Sequence, residues 1–296
     1  MLLLITGSFD GTSDIVVPEL EPAVFRFNYD LFAEYELKFT PEQWSIRNPS
    51  GLEITSKTVS ACFWWKAFNS FLVDHDQFIT EEVKYIFREI YNSCREMGIV
   101  RGVRPDFHNQ YGKMTLLNIA RQYFNTPDTL ATFRLAGTEK FAGQPVVAKS
   151  FSSGLTTTNK ALFTTQVEVE QLHPSYPWFL QEKLDSDADV TVFVCGQEQF
   201  AFYRDRANLK SLDWRTEINT DSVPKKEWFP LELTQSDSEG IKGFCSKLRV
   251  DWGRIDFMRT ADGLVFLEYN ANGQWVFLDF ANEYGLLESV RHYLSA

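Results

Sequence analysis

Apolar and polar positions along this chain repeat with two periods, and the changes between them mark out its elements. Leu2 to Thr6 is a continuous apolar run closed by Gly7-Ser8, the pattern of a buried strand in an α/β layer. Val24 to Asn28 and Ala61 to Trp65 read as two more strands. From Thr80 to Met97 the period becomes helical: Val83, Ile86, Phe87, Ile90 and Cys94 share one face, Thr80 takes the N-cap position before Glu81 and Glu82, and Gly98 follows the end. Lys113 to Phe124 repeats that pattern, and Pro127 forces an extended exit from it. Val146 to Ala148 is a short apolar strand running into Lys149. The hydroxyl-rich Ser150 to Thr158 comes next, and then a returning strand at Leu162 to Val167, so the segment can fold as a flap with amides and hydroxyls toward an anion. Trp178 and the FLQEKL after it open a third region, where Val190 to Cys195 and Phe200 to Arg204 pair across Gly196. A helix is predicted over Glu239 to Leu248.

The final hairpin, Gly253 to Asp279, carries the densest chemistry. An Asp256-bearing strand turns near Asp262-Gly263 into a second strand holding Glu268, Asn270 and Asn272 at every second position, hence on one face. Asp256 joins that face only if it pairs with a residue of the same parity. A two-residue loop at Asp262-Gly263 would place Phe257 opposite Glu268. A three-residue loop, Ala261 to Gly263 with a left-handed glycine, places Asp256 opposite Glu268, and that loop is predicted here. Oxygen donors in this number suit a hard divalent ion such as Mg²⁺ shared with substrate phosphates.

Composition narrows the options. A chain of 296 residues buries roughly 75% of its unfolded surface and accommodates two or three subdomains. A formal charge of −11 argues against nucleic acid, which needs a basic footprint. Cys62, Cys94, Cys195 and Cys245 form no C-x-x-C pair, so they read as buried reduced thiols. The apolar start is too short for a signal peptide and no run is long enough to span a bilayer, so a cytoplasmic location without membrane contact is expected. Gly7 to Gly11, GSFDG, matches no phosphate-loop pattern and reads as a structural turn, while His75, His108, His173 and His292 show no catalytic spacing.

The order of elements resembles the ATP-grasp superfamily: Lys113 opens a helix, Lys149 ends a strand, Gln181 to Leu184 reads as an interdomain hinge, and Asp189, Asp256, Glu268 and Asn270 follow. Within it the chain is similar to the ligases that mature graspetides, including microviridin-type and grasp-with-spasm enzymes. NANGQW (Asn270 to Trp275), VFLEYN, DWR (Asp213 to Arg215), FRFN and FWWKAF carry that resemblance, which spans nearly the whole chain.

The resemblance implies an α/β (α+β) ATP-grasp fold, with an N-terminal domain over 1–106, a central lid subdomain over 107–181 and a metal-bearing subdomain over 182–296. Lys113 and Lys149 would contact ATP phosphates, Glu182 with the backbone of Lys183 and Leu184 the adenine edge, and Asp189 the ribose. Asp256, Glu268 and Asn270 would hold Mg²⁺, as two ions. Thr191 stands where relatives carry Arg, so Arg204 or Arg206 is expected to supply the phosphate cation, and Arg215 to grip the acidic acceptor. Trp64-Trp65-Lys66-Ala67 likewise departs from a Trp-aromatic-Arg-Arg run.

The implied activity is ATP-dependent macrocyclisation of a precursor peptide, leader plus acidic core, through side-chain esters or amides; a homodimer is compatible with the class. A small-molecule or protein-terminus ligase and a non-catalytic nucleotide-binding module are the alternatives.

Overall fold

The computed structural model describes residues 1–20, 24–66, 76–151, 163–207, 209, 211–213, 216 and 227–295. Strand β1 (Leu2–Thr6) is buried along its length because it lies inside a four-stranded parallel sheet, between β2 (Val24–Asn28) and β6 (Ala61–Trp64), with β7 (Val100–Arg101) beyond β6. Alternation divides its two faces. Leu3, Ile5, Phe25, Phe27 and Cys62 meet Val83, Phe87, Ile90 and Cys94 of helix α2 (Gln77–Glu96). Leu2, Leu4, Ala61 and Phe63 face a larger core shared with the C-terminal half. The GSFDG segment is the expected turn, with Asp10 accepting the Ser13 amide at 3.0 Å to cap helix α1 (Gly11–Val16).

Several boundaries differ from the sequence reading. Helix α2 starts a turn before Thr80, because Asp76 caps it by accepting the Phe78 amide at 2.8 Å. On that helix Tyr91 is buried, whereas Ile86 is exposed. Periodicity missed a small antiparallel sheet, β3 (Glu36–Phe39), β4 (Trp44–Arg47) and β5 (Glu53–Thr55), whose strands are short and mostly exposed at the edges. Helix α3 (Phe107–Gln110) precedes α4 (Lys113–Ala120), which stops short of Phe124. Tyr123 and Phe124 instead turn onto Phe244 of helix α5 (Gln235–Leu248), itself capped by Thr234 ahead of the predicted start.

The central sheet runs β10 (Thr165–Val167), β9 (Val146–Lys149), β11 (Trp178–Glu182), β8 (Thr129–Thr132), with a small core of Phe141, Val146, Leu172 and Leu180. Most of the proposed flap, 152–162, lies outside the described residues. The C-terminal sheet is antiparallel, in the order β14 (Phe229–Pro230), β13 (Glu198–Asp205), β12 (Ala188–Cys195), β15 (Trp252–Thr260), β16 (Gly263–Asn270). Helix α6 (Leu286–Ser295) buries Leu286, Val290 and Leu294 in the large core and ties the ends together: the Tyr293 hydroxyl accepts the Gly102 amide at 2.7 Å and donates to Asp251 at 2.8 Å. All four cysteines are buried free thiols. Among the described residues no helix is long and apolar enough to cross a membrane.

Candidate active site

The β15–β16 hairpin brings Asp256 directly opposite Glu268, by a different device from the loop predicted. Thr260 pairs with Gly263, so the loop has two residues, Ala261 and Asp262, and Phe257 pairs with Phe266. That register alone would set Asp256 against Leu267. A β-bulge between the Asp256 and Phe257 pairs absorbs Leu267, and from there Asp256 faces Glu268 and Arg254 faces Asn270. The bulge also resolves a conflict of alternation, since Phe266 is fully buried in the core while Glu268 opens onto a cleft. Strand β16 ends at Asn270, so Asn272 lies beyond it.

Asp256 is densely held. Asn270 Nδ2 donates to its Oδ2 at 2.7 Å and to Glu268 Oε1 at 3.2 Å, which draws the three side chains together. Thr191 Oγ1 donates to Asp256 Oδ1 at 2.7 Å from the neighbouring strand. Arg254 Nη2 donates to Oδ2 at 3.1 Å, and its Nε stands 3.0 Å from Oδ1. Helix α4 packs against β16 and sets Lys113 Nζ 4.0 Å from Glu268 Oε2, while the same amine donates to the Ser150 carbonyl at 2.7 Å. Burial would push the Glu268 carboxyl up, but Lys113, the Asn270 hydrogen bond, Lys149 and Arg254 outweigh it and hold it below its ordinary value. Two carboxylates and a carboxamide on one face, balanced by nearby cations, fit a hard divalent ion that also has phosphate oxygens to share.

These groups line a cleft of about 710 Å³ between the central and C-terminal sheets, a volume suited to a nucleotide-sized molecule. Nine of the predicted site residues border it: Lys113 and Lys149; Glu182, Lys183 and Leu184; Asp189; and Asp256, Glu268 and Asn270. Glu182 Oε1 accepts the Asp128 amide at 3.0 Å. The Lys183 amide donates to the Pro145 carbonyl at 2.8 Å and its Nζ reaches Gln166 at 2.9 Å, so its backbone N–H is turned to the central sheet. Asp189 is clasped by Arg206, whose Nη1 lies 2.8 Å from both carboxylate oxygens. Burial pushes the Asp189 carboxyl up, further than Arg206 and Arg204 draw it down, and Asp213 adds to the rise.

Two predicted residues are not among these nine. Arg204 pairs with Glu227 at 3.2 Å and does not border the cleft, and Arg215 lies outside the described residues. Among the described residues the arginine that borders the cleft is Arg254, which sequence reasoning missed. Its signal was available: Arg-x-Asp on a strand places both side chains on one face. His108 also borders the cleft, where burial pushes its imidazole down, Glu268 opposes that shift and Lys113 adds to it. Its sequence neighbourhood gave no such signal.

No family model and no curated protein sequence matches the chain. Solved structures do. A RiPP-associated ATP-grasp ligase from Chryseobacterium gregarium, in complex with ADP and a leader and core peptide, superposes with a TM-score of 0.84 at 22% identity, covering 99% of this chain and 96% of that one. The macrocyclase MdnC from Microcystis aeruginosa MRC, bound with precursor peptide MdnA, gives 0.79 at 20% identity, with 99% and 98% covered. D-alanine–D-alanine ligase from Bacillus anthracis gives 0.59 at 13% identity, with 99% and 96% covered. The architecture of this chain, from its first sheet to its last helix, is the ATP-grasp fold.

Proposed function

We propose that the chain is an ATP-dependent ligase of a precursor peptide, activating Asp or Glu side chains for attack by Thr or Ser hydroxyls or a Lys amine to close macrocyclic ester or amide links. The observation that carries this reading is the convergence on one cleft of an opposed carboxylate pair, Asp256 and Glu268, with Lys113 and Lys149. In support, similar folds are seen with ADP and precursor peptides.

In this reading Lys113 and Lys149 offset charge on the phosphates, Glu182 and the Leu184 backbone face the base, and Asp189 faces the sugar. Asp256, Glu268 and Asn270 would hold Mg²⁺, as two ions, which would supply Lewis-acid stabilisation of the transferred phosphoryl group. The peptide carboxylate attacks the γ-phosphorus and ADP leaves. The hydroxyl or amine then attacks the acyl carbon of the acylphosphate, the carbon–oxygen bond to phosphate breaks so that inorganic phosphate leaves, and the nucleophile gives up its proton. The chain needs only to position these partners and neutralise charge, which accounts for the lack of a nucleophilic Ser or Cys among the roles assigned. The three larger sheets are taken to mark subdomains 1–106, 107–181 and 182–296, and a reducing cytoplasm supplying ATP suits the four free thiols.

The test is incubation of the full chain with ATP, Mg²⁺ and an acidic peptide rich in Thr and Lys, following ADP release and peptide mass. Peptide-dependent ADP release with loss of one water mass per link is expected. Turnover with small amino acids alone would instead identify a small-molecule ligase, and nucleotide binding without turnover on any substrate a binding module.

A further inference from the structure

Resting on the ligase reading above, we propose that Arg254 is a displaceable counter-ion of Asp256, so that Arg254 and a divalent metal ion compete for this carboxylate and Arg254 sets the affinity of the site. The two oxygens of Asp256 receive three hydrogen bonds, from Thr191, Asn270 and Arg254, and Arg254 Nε adds an ion-pair contact at 3.0 Å. A carboxylate offers about four lone-pair positions; three are taken by these hydrogen bonds, and Arg254 Nε, 3.0 Å from Oδ1, crowds the approach to the remainder, so a metal ion entering the plane competes with Arg254 for it.

The three donors are not equally easy to displace. Thr191 and Asn270 are short side chains fixed on the strands flanking Asp256, and both bonds are 2.7 Å. Arg254 holds on less well: its bond is longer, at 3.1 Å, and its buried Nε finds no aligned acceptor despite standing close to Oδ1. It also has a second anchor away from Asp256. Nη1 donates to the Gln274 carbonyl at 3.0 Å, and the guanidinium lies 5.7 Å from the centre of the Phe277 ring. Releasing Asp256 therefore leaves Arg254 a hydrogen bond and a ring to rest on, and strands no buried charge. The metal ion then replaces one cation by another beside two opposed carboxylates, and electrostatic balance is preserved.

The experiment uses Mn²⁺ as a spin probe on the full chain with saturating ADP, comparing the natural protein with Arg254→Lys and Arg254→Gln after matching their thermal unfolding. The lysine keeps the positive charge but not the fork, so a competing arginine predicts Mn²⁺ binding about tenfold tighter in Arg254→Lys. Arg254→Gln binds at least as tightly. ADP affinity in EDTA stays within about twofold in both. Unchanged or weaker Mn²⁺ binding in Arg254→Lys overturns the proposal, as does a loss of ADP affinity in EDTA, which would make Arg254 a nucleotide ligand. If the natural protein binds ADP with Mn²⁺ but the variants do not differ from it, this proposal alone fails. If it binds neither, the ligase reading fails with it.

Discussion

A Cβ on Gly273 would lie 2.7 Å from the Cβ of Arg254, closer than real side chains approach, and 3.2 Å from the Cβ of Asn270. Both contacts are to atoms next to the backbone, which cannot swing aside. The glycine of the NANGQW segment is therefore there to let the following turn pass close over two residues of the cleft. Gly273→Ala is expected to move Arg254 and Asn270 apart. Mg²⁺-dependent ADP binding should weaken by about tenfold or more, with a much smaller loss in thermal stability. Calorimetric titration beside a melting curve checks this; a large fall in melting temperature with metal affinity intact would mean the glycine serves packing alone.

Asp256→Asn and Glu268→Gln should separate metal from nucleotide. Each removes a carboxylate but keeps the size of the side chain, so ADP affinity in EDTA should change little. The gain in affinity on adding Mg²⁺ should largely disappear, and peptide-dependent ADP release should fall by about a hundredfold or more. Titrations with and without EDTA read the two effects independently.

Lys113→Met should do the reverse. Its amine holds the Ser150 carbonyl at 2.7 Å and faces Glu268 at 4.0 Å, so removing it both costs a phosphate cation and loosens the start of the segment beyond β9. A charge-assisted hydrogen bond is worth about 1.5–3 kcal/mol, so ADP affinity should drop by about 10- to 100-fold even in EDTA. An unchanged ADP affinity would remove Lys113 from the nucleotide site.

Lys66 gives a stability signature in alkali. Burial lowers its amine to about 8, Asp10 opposes the shift, and Arg254 adds to it. Between that value and the ordinary lysine range the folded chain binds fewer protons than the unfolded one, so this residue's contribution to stability rises with pH across that window. Below about 8 its penalty is fully present. Lys66→Met should therefore be more stable than the natural chain near neutral pH, and the difference should shrink as pH approaches the ordinary lysine value. Urea unfolding of both proteins at a neutral and an alkaline pH checks it; a difference independent of pH would show that Lys66 is charged throughout.

Much of this cleft could be read from the residues because strand alternation is strict. Glu268 and Asn270 had to share a face, and a lysine at the end of an apolar strand had to emerge at its edge. What failed were features decided by one residue of geometry or by tertiary contact. The bulge at Leu267 achieves the pairing that a longer loop had been expected to achieve, because Phe266 is more costly to expose than one ladder position is to skip. Asp76 took the capping role from Thr80, which was equally plausible as a side chain but lies within the helix. Arg204 on β13 pairs with Glu227 away from the cleft, because its neighbours are set by sheet order, which periodicity does not encode; Arg254, two residues before Asp256 on β15, was legible from alternation and went unread.

The division of the core has a mechanical consequence. One face of the first sheet and the metal-bearing sheet share a single interior, whereas the central sheet keeps its own nucleus of Phe141, Val146, Leu172 and Leu180 and sends Phe179 into the larger one. Lys183 is still tied to that smaller jaw through the Pro145 carbonyl, and by Asp187 the chain is already bonded to Arg259 of the opposite jaw. One crossing between the jaws therefore falls within Leu184, Asp185 and Ser186, directly beside the pocket; the other is Thr126 and Pro127, between Asn125, which accepts the Phe266 amide, and Asp128, which accepts the Glu182 amide. A bite that carries Lys149 toward the carboxylates would flex these two short connections and slide the Phe179 ring within the larger core.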